Sequence, residues 1–200
     1  MHNGFAIALA WPETYCKQVG VWYDHLLKWV GINKTHYYKV GHAAVVLVNE
    51  KNGDCFYFDF GRYHAPYSYG RVRDAQTDHD LKIQTKSRIQ QKQIINYTDL
   101  LKELSLNISC HGTGALHASY CPINFEAAYD EAKKLQSQSP ISYGPFHLRS
   151  TNCSRFVKSV IVAGKPKLPY LFTLNCHKTI TPTPIGVVKS LSNYQFIEKA

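Results

Sequence analysis

Val40-Gly-His-Ala-Ala-Val-Val-Leu-Val48, then Asn49-Glu-Lys-Asn-Gly-Asp54, then Cys55-Phe-Tyr-Phe-Asp-Phe60: these three consecutive pieces decide the fold. The first is a β-branched, alanine-lined run with the composition of a buried strand. The second holds an Asn-Gly pair, whose tolerance of positive φ suits a hairpin turn. The third returns as the partner strand, so residues 40–60 read as one antiparallel hairpin. A turn centred between residues 51 and 53 sets Asp59 opposite residue 44 or 46, on the face that carries His42. Tyr57 and Gly61 share that face, while Phe56, Phe58 and Phe60 point the other way.

Outward from the hairpin, Gly4-Phe-Ala-Ile-Ala-Leu-Ala-Trp11 reads as a first strand. Residues 19–30 carry apolar side chains at amphipathic helical spacing, ended by Gly31. Residues 61–80 form a long polar segment, expected as a loop. Strands are expected near 81–85 and 93–97, then a short helix begun by Thr98 or Asp99. Residues 107–120 read as extended and broken by glycine. Asn124 caps a helix whose apolar face is Phe125, Ala128, Tyr129, Ala132 and Leu135. A short strand at 146–149 leads into a helix over 153–163, stopped by Gly164. Prolines at 166, 169, 182 and 184 predict an extended tail packed over the body. The fold class is therefore α+β, a mostly antiparallel sheet with helices packed on it. Residues 1–200 read as a single domain, with a core at about 38–164, an N-terminal strand and helix over 4–31, and the tail over 165–200.

The chain has 200 residues, 44% of them apolar and 18% charged, which are globular values that exclude an intrinsically disordered chain. No apolar run is long enough to span a membrane as a helix. The N-terminus lacks a basic n-region and a polar cleavage segment, so a cytoplasmic location is expected. In that reducing compartment the cysteines at 16, 55, 110, 121, 153 and 176 are expected as thiols. The net charge of +9 raises the question of nucleic acid. The basic residues are dispersed, however, and form no aromatic-basic motif, so no specific nucleic-acid partner is expected.

The most informative chemical signal is Ser150-Thr-Asn-Cys-Ser-Arg-Phe-Val157. Thr151 or Asn152 is a good N-cap, which puts Cys153 in the first helical turn. There the helix dipole and unpaired backbone N–H groups favour a thiolate and would also hold an oxyanion. The plainer reading is a small buried residue at a helix start. A nucleophilic cysteine needs a base, and His42, flanked by Gly41 and Ala43, is the candidate. It could equally be a core histidine satisfied by one carbonyl. Asp59, an acid inside an aromatic strand, needs a partner. Either His42 supplies it, fixing the ring for the thiol, or Arg62 or another arginine does.

Other groups compete for a role. Arg62, Tyr63, Tyr67, Tyr69, Arg71 and Arg73 leave the strand that holds Asp59. Arg62, Tyr63 and Arg71 are taken as candidate substrate-binding residues, since arginine forks and tyrosines suit a carboxylate or phosphate. Solvated loop arginines are the alternative. Cys110, His111, His117 and Cys121 offer zinc-type ligands, although their spacing matches no established finger. Cys16 and Cys55 read as small residues in apolar surroundings, and Trp11, Trp22 and Trp29 as core.

The order of these residues resembles the circularly permuted NlpC/P60 superfamily, a papain-like group that includes the lecithin:retinol acyltransferase-like and YiiX-like proteins. Gly41-His-Ala-Ala-Val-Val-Leu-Val48 and Thr151-Asn-Cys-Ser-Arg-Phe-Val157 resemble its two motifs. Phe58-Asp-Phe-Gly-Arg-Tyr63, with Tyr69-Gly-Arg-Val-Arg73 and Thr77-Asp78, also resembles an uncharacterised bacterial family assigned to that group. The resemblance covers about 38–164. It implies a papain-like fold, Cys153 as nucleophile, His42 as base and Asp59 as orienter; many members carry histidine at the third position. It further implies thiol-dependent hydrolysis or acyl transfer at an amide, ester or isopeptide carbonyl of a small-molecule, peptide or lipid-like substrate. No metal and no cofactor are expected. A non-catalytic ligand-binding module on the same scaffold is the rival reading, and a zinc-stabilised interaction domain is a third.

Overall fold

Every residue of Gly4–Trp11 (β1) is buried, because this uninterrupted apolar run lies in the middle of a sheet covered on both faces. The computed structural model describes residues 1–17, 37–39, 41–144, 150–176 and 181–198. After β1 the strands are Tyr15–Lys17 (β2), Tyr37–Lys39 (β3), His42–Asn49 (β4), Cys55–Gly61 (β5), Tyr69–Arg73 (β6), Ile89–Gln90 (β7), Gln93–Ile94 (β8), Leu116–Ile123 (β9), Ile141–Ser142 (β10) and Ser192–Ile197 (β11). The helices are Tyr97–Leu106 (α1), Phe125–Ser137 (α2), Cys153–Ala163 (α3), Leu168–Asn175 (α4) and Pro184–Lys189 (α5). Seven strands form the main sheet in the order β10-β6-β5-β4-β1-β9-β11. Each pairing in it is antiparallel.

Side-chain alternation divides the core into two layers. Ala43, Val45, Leu47, Phe58 and Phe60 face α2, α3 and α5, burying Phe125, Phe156, Val160 and Val188 against them. Ala44, Val46 and Tyr57 face the opposite layer with Leu100, Leu101 and Leu104 of α1. The expected hairpin is present: Ala44 lies opposite Asp59, and Val46 opposite Tyr57. The helix over 153–163 and the helix capped by Asn124, whose side chain accepts from Ala127 N–H, are also as expected.

Three expectations are corrected. Residues 69–73 form a sheet strand rather than part of a loop, with Asp59 opposite Arg73 and Gly61 opposite Arg71. Charged residues tolerate that position because each has an acidic partner, Asp59 for Arg73 and Asp78 for Arg71. Residues 81–85 are no strand. The Glu103 carboxylate accepts from Gln84 and Thr85 N–H at 2.6 and 2.9 Å, taking donors a ladder would use. The segment near 93–97 pairs only at Gln93–Ile94, and α1 begins at Tyr97.

The tail, too, departs from an extended packing. Pro169 and Pro184 sit in the first turns of α4 and α5, where a missing N–H costs nothing. Beyond them β11 adds to β9 as an edge strand. Leu174, Val187 and Val188 are buried in the main core, which therefore extends past residue 164. The expected helix over 19–30 with Trp22 and Trp29, the strand at 146–149 and the Cys16 side chain lie outside the described residues. Among the described residues no helix is long and apolar enough to cross a membrane.

Leu174→Ala should lower the unfolding free energy by about 2–5 kcal/mol in urea denaturation. Phe172→Ala, two residues away on the exposed side of the same helix, should leave it nearly unchanged. Equal effects would contradict the docking of the tail.

Candidate active site

The thiol is placed by a helix start. Asn152 accepts from Arg155 N–H at 2.9 Å and donates through Nδ2 to Thr181 Oγ1 at 3.0 Å. This cap fixes Cys153 as the first residue of α3, whose buried face packs on the Ala43 side of the sheet. The Cys153 thiol meets the His42 ring and the backbone N–H of Ala43 at the end of β4, and its sulfur lies 3.9 Å from Ser154 Oγ.

His42 opens β4 immediately after Gly41, whose φ of +75° and close packing on Trp11 and Pro12 require glycine. The Trp11 indole stacks on the imidazole, with centroids 5.9 Å apart. Gly112 lies flat against that indole, and a Cβ there would come within 2.3 Å of it. The imidazole is thus held in place by packing as well as by polar contacts. Its Nε2–H donates to Asp59 Oδ2 at 3.2 Å, which leaves Nδ1 for the thiol.

Asp59 has no exposed surface and is surrounded by donors. The Tyr57 and Tyr63 hydroxyls donate to Oδ2 at 3.0 and 3.1 Å. Arg73 donates from Nε to Oδ1 at 3.0 Å and from Nη2 to Oδ2 at 2.6 Å. The Arg73 guanidinium also donates to Ser109 O at 3.0 Å and lies 3.4 Å from the centre of the Tyr63 ring. Both sequence readings of Asp59 are therefore realised together: it has a histidine and an arginine.

These contacts set the protonation states. Burial acts to raise the Asp59 carboxyl, but hydrogen bonds from His42 and Arg73 outweigh it and lower the group to about 2. Burial acts to lower His42, but its bonds to Asp59 and Cys153 lift the ring to about 9. Burial would raise the Cys153 thiol, and the hydrogen bond and charge of His42 bring it below its ordinary value. Cys110, where burial outweighs a bond to Tyr57 and the Arg73 charge, and Cys121, where burial acts alone, are pushed up to about 12. The arrangement favours a thiolate–imidazolium pair at Cys153 and His42.

The remaining candidates separate. Tyr63 lies in the site, its hydroxyl 3.3 Å from His42 Nε2 and its ring stacked on His111. Arg62 lies outside this cluster, over the Tyr143 ring at 5.9 Å. Arg71 is committed to Asp78 by a two-pronged bond at 2.7 and 2.8 Å, and to Tyr63 O at 2.8 Å. It braces the strand rather than presenting a fork to a ligand. The zinc-type residues diverge: Cys110 and Cys121 are buried on opposite faces of the sheet, and His117 Nδ1 is 2.6 Å from Tyr194 OH. Among the described residues no group of three metal-ligating side chains converges. The sequence reading missed the contribution of Arg73, whose signal was the alternation of Arg71, Val72 and Arg73.

Comparison with known families adds to this geometry. The type VI secretion system effector TseH-like family matches residues 6–168. The chain belongs to that family. The TseH-like match spans His42, Asp59, Arg73 and Cys153. A crystal structure of the type VI secretion system effector TseH is similar over 99% of this chain and 94% of that one, with a TM-score of 0.64 and 21% identity. At that identity the likeness to TseH is one of fold. No curated protein matches the chain.

Arg73→Met should cost up to about 3–5 kcal/mol at neutral pH, since it removes one of the two cations bonded to a buried carboxylate and leaves His42 as the other. In the wild type the Asp59 contribution is complete above the unfolded carboxyl value of about 3.9 and is lost as pH falls through about 2. Removing the cation raises the Asp59 value, so in Arg73→Met the loss begins at higher pH. Coincident acid transitions in the two proteins would contradict the pairing.

Proposed function

We propose that this TseH-like chain is a cysteine hydrolase or acyltransferase of the permuted, papain-like NlpC/P60 type. One observation carries the reading. A buried thiol at a helix start is lowered by a histidine that is itself bonded to a buried carboxylate, while the buried thiols of Cys110 and Cys121 are raised. A ligand-binding module has no need of that difference.

In this scheme the Cys153 thiolate attacks a carbonyl carbon, and the first-turn N–H groups of Cys153 and Ser154 hold the oxyanion. As the tetrahedral intermediate collapses, His42 gives its proton to the departing amine or alcohol, leaving a thioester. His42 then takes a proton from water, or from another acceptor, as that group attacks the thioester. Collapse of the second intermediate returns the thiolate, and His42 keeps the proton. Asp59 keeps the ring oriented with Nδ1 toward sulfur, and Tyr63 is the nearest candidate to meet a bound substrate. The family supports a further step: the chain is exported as a type VI secretion system effector and acts on an amide, ester or isopeptide bond of its target. The cytoplasm is then its place of synthesis rather than of action.

A panel of peptide amides and esters, assayed with wild type, Cys153→Ala, His42→Ala and Asp59→Asn, tests the reading. Turnover should vanish in the first two variants and persist at a reduced rate in the third, with folding checked by circular dichroism. No step uses a metal, so dialysis against EDTA should leave the rate unchanged. Retained turnover in Cys153→Ala would overturn the assignment.

A further inference from the structure

The outer edge of β5 is only half paired. β6 meets it at Asp59, Phe60 and Gly61 and continues no further along it. Where the earlier residues point follows from the hairpin. Asn49 N–H donates to Asp54 O at 2.9 Å, so residues 49 and 54 form a hydrogen-bonded pair. In an antiparallel ladder every second pair repeats that pattern. Phe56 and Phe58 therefore bond to Leu47 and Val45 of β4. Cys55, Tyr57 and Asp59 turn their N–H and C=O groups outward. Those of Asp59 meet Arg73, whereas those of Cys55 and Tyr57 face no strand among the described residues.

These backbone groups border a cavity of about 430 Å³ whose far wall is the chain from 81 to 86. That wall does not fill the place of a strand. The N–H groups of Gln84 and Thr85 turn away to Glu103. The wall joins the hairpin beside its end, where Ser87 N–H donates to Gly53 O at 2.8 Å and Ser87 Oγ lies 3.1 Å from Cys55 Sγ. The cavity has two apolar sides: Phe56, Phe58 and Tyr129 on the α2 side, and Leu81 and Ile83 on the other. On its rim the acids are already paired, Asp54 with Lys86 and Asp74 with Lys133. Lys82 adds an exposed cation, and the chain as a whole carries +9.

We propose that this cavity is a peptide-binding site, in which an extended segment of another polypeptide, apolar with an acidic flank, adds to β5 at Cys55 and Tyr57. Two peptide residues, two apart in sequence, satisfy all four backbone groups. Successive side chains of an added strand point alternately to the Phe56 and Leu81 sides, which are both apolar. The unpaired polar edge is what selects a peptide over a purely apolar ligand, because an apolar occupant would leave two donors and two acceptors buried without partners. The acidic flank answers the exposed Lys82 on the rim. The site borders the Cys153 cluster at Tyr57, whose hydroxyl reaches Asp59, but it uses only the Tyr57 backbone, and the proposal stands independently of the chemistry at Cys153.

The test uses the full ¹⁵N-labelled chain, titrated with the probe acetyl-Val-Thr-Val-Glu-amide and with the same peptide N-methylated at its second valine. The amides of Cys55 and Tyr57 should shift saturably at millimolar peptide, and their hydrogen exchange should slow. N-methylation removes one donor and should weaken binding about tenfold. Cys55→Pro removes an outward N–H that the β4 ladder does not use, and should weaken the probe while leaving the alkylation rate of Cys153 unchanged. The two-peptide comparison needs no variant, so it decides the matter even if Cys55→Pro fails to fold. Unmoved Cys55 and Tyr57 amides, or equal binding of both peptides, would overturn the proposal.

Discussion

A carboxylate with no exposed surface is the constraint on which the rest of this structure depends. Asp59 lies in the middle of an aromatic strand, where an unpaired charge would be strongly unfavourable. The fold answers with four side chains from four places: His42 on β4, Tyr57 on the same strand, Tyr63 on the following loop and Arg73 on β6. Each partner is held in turn. Arg73 stands directly across from Asp59 in the β5–β6 ladder, and its Nη2 also donates to Ser109 O. Tyr63 is packed by the guanidinium and by His111. Removing the carboxylate would leave a buried arginine and two tyrosine hydroxyls without their acceptor.

From that anchor the orientation passes outward to the thiol. The carboxylate holds Nε2, the Trp11 indole holds the ring plane, and Gly112 leaves room for the indole. The thiol arrives from the other side of the sheet. Helix α3 packs on the Phe58 and Phe60 face, and its first residue meets His42 at the end of β4. The sheet therefore separates the base and its orienter from the nucleophile's helix, and contact is made only at the strand end. This geometry explains why Asp59 is lowered while His42 is raised: the same hydrogen bond stabilises the charged form of both.

The parts legible in the sequence were those set by local signals. An Asn-Gly turn and a period of two were enough to put Asp59 opposite residue 44 or 46, and a cap at Thr151 or Asn152 was enough to start a helix at Cys153; the structure selects Ala44 and Asn152. The parts that escaped depend on distant partners. Arg71 and Arg73 look like loop residues until Asp78 and Asp59 are placed beside them. Residues 81–85 look like a strand until Glu103, eighteen residues or more away, accepts two of their N–H groups. Proline 169 and proline 184 suggest extended chain, but in each case they begin a helix.

The central claim is that His42 and Asp59 make Cys153 a nucleophile. Alkylation of every cysteine by iodoacetamide across pH, resolved by mass spectrometry, tests it without a known substrate. In wild type, Cys153 should react well below the ordinary thiol value of about 8.5, and that advantage should disappear in His42→Ala. A Cys153 no more reactive at low pH than the exposed Cys176 would contradict the account.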